Sequence, residues 1–172
     1  MKKFDVCIVG AGVAGASMAA FLGKHQINTV VIERSLSERD VIVGELLQPG
    51  GYRHLQNMGL ESFVEGIDAQ PVYGYDVIYD DDECLIKYHK DEIGYFGFGF
   101  RNGKFVQNMR KQIIEDPFVT VIEGRVTALN EEDNTVTGLT YVQKGKQSEK
   151  SIEASLTIVS DGPISKFRTE LS

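Results

Sequence analysis

Cysteine, histidine and clustered positive charge are all scarce in this chain of 172 residues. Cys7 and Cys84 are two isolated cysteines, which excludes a disulfide framework and fits a reducing compartment. Cys7 lies in an apolar run and reads as a buried apolar residue. His25, His54 and His89 lack the spacing of a zinc site. Eighteen basic residues stand against 25 acidic ones, for a net charge of −7, and no basic stripe is present. That balance argues against nucleic acid as a partner. Asp80–Glu83 and Glu131–Asp133 lack the spaced ligands and glycine of a calcium loop, so they read as solvated hairpin turns. Long apolar runs are also missing, with one exception: Val6–Gly23 carries no charge and follows Lys2-Lys3. Asp5 interrupts that junction, and four glycines are poor helix formers, which argues against a signal peptide or a membrane span. Repeats and low-complexity segments are absent. The length suits one domain, or one and part of another, burying roughly 70% of its unfolded surface.

What is present begins at the amino terminus. Phe4–Val9 is an apolar, β-rich run. Gly10-Ala11-Gly12-Val13-Ala14-Gly15 follows at once, then a helical pattern over Ala16–His25 and a second strand, Asn28–Glu33. A strand, a G-x-G-x-x-G turn, a helix and a strand ending in an acid form the fingerprint of an adenine-dinucleotide site. Gly10 permits the tight turn, Gly12 lets backbone approach a diphosphate, and Gly15 with Ala19 lets the helix pack closely on the sheet. Unpaired N–H groups at the helix start, aided by the helix dipole, suit the diphosphate. Glu33 follows Gly15 by 18 residues, where a carboxylate accepts hydrogen bonds from a ribose.

Further along, Arg34–Asp40 reads as a charged loop and Gly44–Gly51 (GELLQPGG) as a turn-rich stretch. Tyr52–Met58 and Leu60–Val64 read as short helical pieces. Val72–Tyr79 and Glu83–His89 read as strands around an acidic turn. Tyr95–Phe100 alternates aromatic residues with glycine, as a strand does beside a close neighbour. Phe105, Val106, Met109 and Ile113 give Lys104–Ile114 a helical period. Phe118–Ile122 is a short strand. Arg125–Asn130, Val136–Gln143 and Lys150–Ala154 read as three antiparallel strands, and Leu156–Val159 as another strand that ends at Ser160-Asp161-Gly162. A plain NAD-dehydrogenase domain more often places a helix at that crossover. The predicted class is α/β: a Rossmann-like parallel sheet with a three-stranded antiparallel meander.

Asp161-Gly162-Pro163-Ile164-Ser165-Lys166-Phe167-Arg168 places an acid-glycine turn at the carboxyl end of a strand, where open α/β sheets bind ligands. Ser165 is positioned to cap a following short helix. From spacing alone, an ordinary strand-turn-helix explains the segment equally well. The Asp-Gly-x-x-Ser-x-x-Arg order nevertheless resembles the second motif of single-component FAD monooxygenases, which touches both FAD and NADPH. Gly10–Gly15 and Glu33-Arg34 resemble the first FAD motif of that family. GELLQPGG, with Ile67–Gln70, Gly74-Tyr75, Asn102–Gln107 and Leu156–Arg168, is similar to the squalene epoxidases (squalene monooxygenases). The similarity runs from about Phe4 to Leu171.

The resemblance implies an FAD enzyme, reduced by NADPH through a reductase, that passes one oxygen of O₂ to a terminal alkene of squalene and yields 2,3-oxidosqualene. It implies an association with the endoplasmic reticulum or another intracellular membrane. Val13 and Ala14 are then expected by the diphosphate, Glu33 at the ribose, and Arg34 on the adenine side. Arg110 matches an arginine that approaches FAD, although a solvated helix-face arginine fits its position too. Val126 matches a position whose backbone meets the adenine, although an ordinary strand valine fits as well. Asp161 and Gly162 complete the cofactor set. Tyr75, otherwise a core strand tyrosine, and Gln48 are expected to shape the substrate pocket. Val41 stands where the family carries an arginine, with Arg39 nearby. Residues 1–70 and 101–172 are expected to form the FAD/NAD(P)-binding domain, and 71–100 part of a substrate-side sheet. A second Gly-Asp flavin motif, the rest of the substrate domain and membrane-holding helices are expected outside these residues. Two alternatives stay open: a flavin-binding fragment without turnover, and another FAD-dependent hydroxylase, against which GELLQPGG argues.

Overall fold

The structure is a computed structural model that describes residues 3–88 and 95–168. In chain order its elements are β1 (Lys3–Val9), α1 (Val13–Lys24), β2 (Thr29–Glu33), β3 (Leu46–Leu47), α2 (Pro49–Asn57), a 3-10 turn (Glu61–Val64), β4 (Gln70–Val72), β5 (Gly74–Tyr79), β6 (Asp82–Lys87), β7 (Gly97–Gly99), α3 (Asn102–Glu115), β8 (Val119–Glu132), β9 (Thr135–Gln143) and β10 (Glu149–Val159). They gather into two compact units, residues 1–38 with 109–172, and residues 39–108.

The first unit is mixed α/β. β1 lies between β2 and β10 and runs parallel to both. Cys7, Val9, Val30 and Ile32 point alternately from β1 and β2 into a core shared with Val126, Leu139, Tyr141, Ile152 and Phe167. Ile8 and Val31, between them, are also fully buried. Burial on both faces is what parallel central strands require, and it explains why these runs are apolar without alternation. Cys7 is the buried apolar residue expected, with its Sγ 3.1 Å from Thr157 Oγ1.

The carboxyl-terminal strands depart from expectation. Phe118–Ile122 and Arg125–Asn130 do not form separate strands. Val119–Glu132 is one strand, whose first part pairs parallel with β2 up to Glu123 and whose second part pairs antiparallel with β9 from Gly124. A side chain at Gly124 would stand 2.7 Å from the Val142 carbonyl oxygen, so this glycine admits the close crossing rather than ending the strand. Lys150–Ala154 and Leu156–Val159 likewise form one strand, β10, which pairs antiparallel with β9 and then parallel with β1. The order β1-β10-β9-β8-β2 therefore closes on itself. The antiparallel meander is present, with a two-residue turn at Asp133-Asn134, both at positive φ (49° and 59°) as a tight hairpin demands. The helix expected after Ser165 does not form within 161–168. These residues are turns and bends, and Ser165 Oγ accepts the Phe167 N–H at 3.2 Å.

The second unit contains the antiparallel sheet β3-β7-β4 and the separate hairpin β5–β6. GELLQPGG is not simply a turn: Leu46-Leu47 pair with β7, and α2 starts at Pro49, three residues before the expected helix. Proline is tolerated there because a first-turn N–H has no helical partner to lose. Gly97 answers the expected close approach, since a Cβ there would lie 2.3 Å from the Leu47 carbonyl oxygen. Val72 belongs to β4 rather than to the hairpin. Asp80-Asp81 form the hairpin turn, with Asp80 at φ 50°. His89 lies outside the described residues. Both hairpin strands are exposed along nearly their whole length, including Ile78 (70% exposed) and Leu85 (61%).

Candidate functional site

The site begins where β1 ends. Gly10 takes φ 98° and donates its N–H to the Ile32 carbonyl at 2.8 Å, which hooks the turn onto β2. Any side chain there would meet the Ser160 carbonyl oxygen at 2.6 Å. Gly12 is the N-cap of α1, with no side-chain cap, and no acidic residue lies in the first turn. A Cβ added at Gly12 would enter open space. Val13 and Ala14 are exposed at the helix start. The first amides of a helix lack partners within it, so this end offers N–H groups, a positive dipole and room for an anion. Gly15 serves the opposite purpose: a Cβ there would lie 1.9 Å from the Gly10 carbonyl oxygen.

Glu33 stands at the end of β2 and faces the turn. Its Oε2 accepts the Ala11 N–H at 2.7 Å, and its Oε1 accepts the Ser35 N–H at 3.0 Å. Each carboxylate oxygen has two acceptor positions, so capacity remains on Oε1. Arg110, on α3, is not a solvated helix-face arginine; it is only 2% exposed. It donates from Nε to the Ala11 carbonyl at 2.9 Å and from Nη1 to the Ser37 carbonyl at 3.2 Å, and its Nη2 lies 3.5 Å from Glu33 Oε2. Ala11, the residue between the first two glycines, thus has its N–H tied to Glu33 and its carbonyl tied to Arg110.

Beside this turn lies a cavity of about 250 Å³, lined by Gly10, Glu33, Arg34, Arg125, Val126 and Asp161, among others. Arg34 is exposed and forms no ion pair among the described residues. Val126 is buried in the core cluster as well as lining the cavity. Asp161 and Gly162 follow β10, both exposed, with Gly162 at φ 94°. Of the predicted cofactor residues, Gly10, Glu33, Arg34, Val126 and Asp161 line this cavity, Gly12 to Gly15 form the turn and helix start beside it and Arg110 holds that turn, while Gly162 is not among the lining residues. Gln48 and Tyr75 meet within the second unit, where Gln48 Nε2 donates to Tyr75 Oη. The Tyr88 ring lies edge-on to Tyr75 at 5.4 Å. Burial pushes the Tyr88 phenol up to about 12, and among the described residues its hydroxyl has no hydrogen-bond partner.

Two residues of the site escaped the sequence reading. Ser160 donates from Oγ to the Val9 carbonyl at 3.0 Å, pinning the end of β10 to the glycine turn. Its place before Asp161-Gly162 was the available signal. Glu123 is the register partner of Glu33 on β8, and its Oε1 accepts the Leu36 N–H at 3.0 Å and the Lys144 ammonium at 2.7 Å. No sequence spacing announces a contact between segments so far apart.

Glu123 also makes a pH prediction. The Lys144 hydrogen bond, then the Leu36 amide, hold its carboxyl below the ordinary value of 4.5. A carboxylate whose pKa is depressed by folding stabilises the fold fully above its unfolded pKa, and loses that contribution as pH falls through the folded pKa. Glu123→Gln should therefore lower the melting temperature at pH 7, with the difference from the unaltered chain shrinking as pH falls below 4.5. A difference that stays constant between pH 7 and pH 3 would count against the contact.

The family model described as FAD binding domain matches residues 3–172. The chain is 44% identical over 172 residues to squalene monooxygenase of Mus musculus, covering 97% of this chain and 30% of the relative. It is 43% identical over 168 residues to squalene epoxidase erg1 of Schizosaccharomyces pombe (95% and 37%). It is 47% identical over 169 residues to squalene epoxidase 3 of Arabidopsis thaliana (97% and 32%). The chain thus spans about a third of the length of these curated relatives. Among solved structures, p-nitrophenol 4-monooxygenase PnpA of Pseudomonas putida superposes with a TM-score of 0.85 at 17% identity, over 100% of this chain and 44% of that one. PqsL of Pseudomonas aeruginosa, a probable FAD-dependent monooxygenase, gives 0.82 at 20% identity, over 99% and 45%. At such identities these two speak for the fold alone. A glycine turn left open at Gly12, an acid at the end of the second strand and a family match that runs nearly end to end lead to one conclusion: this chain belongs to the FAD binding domain family.

Proposed function

We propose that this chain is the FAD-holding portion of a squalene epoxidase, which converts squalene to 2,3-oxidosqualene with O₂ and NADPH. The observation that carries the reading is the identity of 43–47% to squalene monooxygenases and epoxidases over 95–97% of the chain. The open helix start supports the cofactor: the amides of Val13 and Ala14 would hold the diphosphate, where an added Gly12 side chain meets nothing of the protein. Glu33 would accept from the adenosine ribose, while Arg34 and the Val126 backbone flank the adenine. Asp161 would close the cavity from the β10 side with Gly162 next to it in the turn, and Arg110 would act on the site by holding Ala11 and Glu33.

FAD, once bound and reduced, supplies the activation of O₂ that oxygen transfer to an alkene requires. The protein's part is to bind, orient and keep water out, and none of these tasks needs a side-chain nucleophile. In this reading residues 1–70 and 101–172 serve the cofactor, 71–100 contribute to a substrate-side sheet, and the Gln48–Tyr75 pair shapes the squalene pocket. A reductase delivers electrons from NADPH, and the working protein acts at the endoplasmic reticulum or another intracellular membrane. Among the described residues, no helix is long and apolar enough to cross a membrane.

The purified chain should be yellow, with the visible bands of oxidised flavin. Gly12→Val should abolish flavin retention while leaving the melting temperature within about 3 °C, because its side chain enters space that the fold leaves empty. A colourless unaltered chain that also fails to take up added FAD would overturn the cofactor reading. Formation of 2,3-oxidosqualene from squalene, with NADPH and a reductase, checks the substrate in the protein that carries this chain.

A further inference from the structure

We infer that Lys166 is a positioning residue for the adenosine end of the FAD site, setting the width of the cavity by tying its two walls together. The inference rests on the FAD reading above. One wall is β8, from Gly124 to Val126. The other is the segment 161–168, which forms no helix and joins no strand ladder. The register between β8 and β9 slips between Val126 and Ala128, which leaves Thr127 as the extra residue of a bulge. Bulges turn a strand locally and leave a backbone group without its ladder partner. Here the Thr127 carbonyl accepts the Lys166 ammonium at 2.6 Å, across 39 residues of sequence. Thr127 Oγ1 is fixed in turn by donating to the Thr140 carbonyl at 3.2 Å.

The ammonium is held at a second point. Lys166 Nζ lies 4.6 Å from the centre of the Phe167 ring, and Phe167 is 2% exposed within the core. The Lys166 side chain is thus a strap that reaches from its own wall, 161–168, to the bulge beside Val126, with its charge over a buried ring. A flat base gripped between two walls gains affinity when their separation is set before it arrives. The lysine is exposed and its bond is a single one, so the expected effect is moderate.

The test uses ADP as the probe of this end of the site, FMN as the probe of the other, and FAD itself. Lys166→Met keeps the stem and removes the donor. It should weaken ADP and FAD about three- to tenfold by titration calorimetry, with FMN unaffected and the melting temperature within about 2 °C. Lys166→Arg keeps a donor and should restore most of the affinity, which a role in packing alone would not explain. Undiminished ADP affinity in Lys166→Met, or equal losses in the methionine and arginine variants, would overturn the strap while leaving the cavity's assignment intact. Failure of the unaltered chain to bind ADP or FAD would overturn both.

Discussion

Gly15→Ala is expected to destabilise the first unit by about 3 kcal/mol or more, and to remove flavin binding with it. On helix propensity alone the change should help, by about 1 kcal/mol. Contact geometry decides otherwise. The new Cβ would lie 1.9 Å from the Gly10 carbonyl oxygen and 2.6 Å from Ser160 Oγ. Ordinary contact begins near 3.4 Å, so the gap must open by 3.4 − 1.9 = 1.5 Å. The atom in the way is backbone, and it belongs to the turn that Gly10 hooks onto β2. Withdrawing α1 that far would also pull Ala16 and Ala19 from the sheet, and both are fully buried. Thermal unfolding should show a fall of roughly 6–12 °C, taking 2–4 °C per kcal/mol for a chain of this size. A variant that melts with the unaltered chain would refute the packing described for this turn.

Loss of the Arg110 side chain should be comparably severe. Arg110→Met keeps much of the volume and removes the polar contacts to Ala11, Ser37 and Glu33. It also leaves the Glu33 carboxylate, 12% exposed, without its counter-charge. Breaking a buried pair from one side costs about 3–5 kcal/mol. Residual access to water and the two amides that Glu33 keeps place the expectation near the lower figure, about 3 kcal/mol, read from urea unfolding. Arg110→Lys should recover little, because an ammonium cannot reach two carbonyls and a carboxylate in the plane of a guanidinium. In a double-mutant cycle with Glu33→Gln, the two losses should fail to add by about 1 kcal/mol or more. Strict additivity would mean that the 3.5 Å pair carries no energy.

How far the sequence foretold these features depends on the range of the interaction. The turn over Gly10–Gly15 was legible because each glycine answers a local demand: a positive φ, an open cap or a close approach. The two long strands, β8 and β10, were not. Each changes partner midway, and the change is dictated by strands distant in sequence, while the chain itself continues without a break. Arg110 is instructive: the resemblance singled it out, but its partners within the protein were not legible. Phe105, Val106, Met109 and Ile113 carry the helical period of α3 as a buried stripe, and Arg110 falls four residues after Val106 and three before Ile113. It occupies a slot of that same stripe, and it is as buried as its neighbours. The position forecast burial, whereas the residue type suggested solvent; the partners that reconcile the two, Ala11 and Glu33, lie about a hundred and about eighty residues away. Pro49 was a helix-start signal of the right kind, masked by the glycines on either side.

The hairpin of Gly74–Tyr79 and Asp82–Lys87 has a practical corollary. A two-stranded ribbon is marginal in water by itself, and this one presents Val77, Ile78, Leu85 and Ile86 to solvent. Outward-facing aliphatic groups on a two-stranded sheet are what recruit other chains into mixed sheets. Handled alone at high concentration, the polypeptide will be sticky, and Lys or Glu in place of Ile78 and Leu85 is the direct route to a well-behaved sample for flavin work.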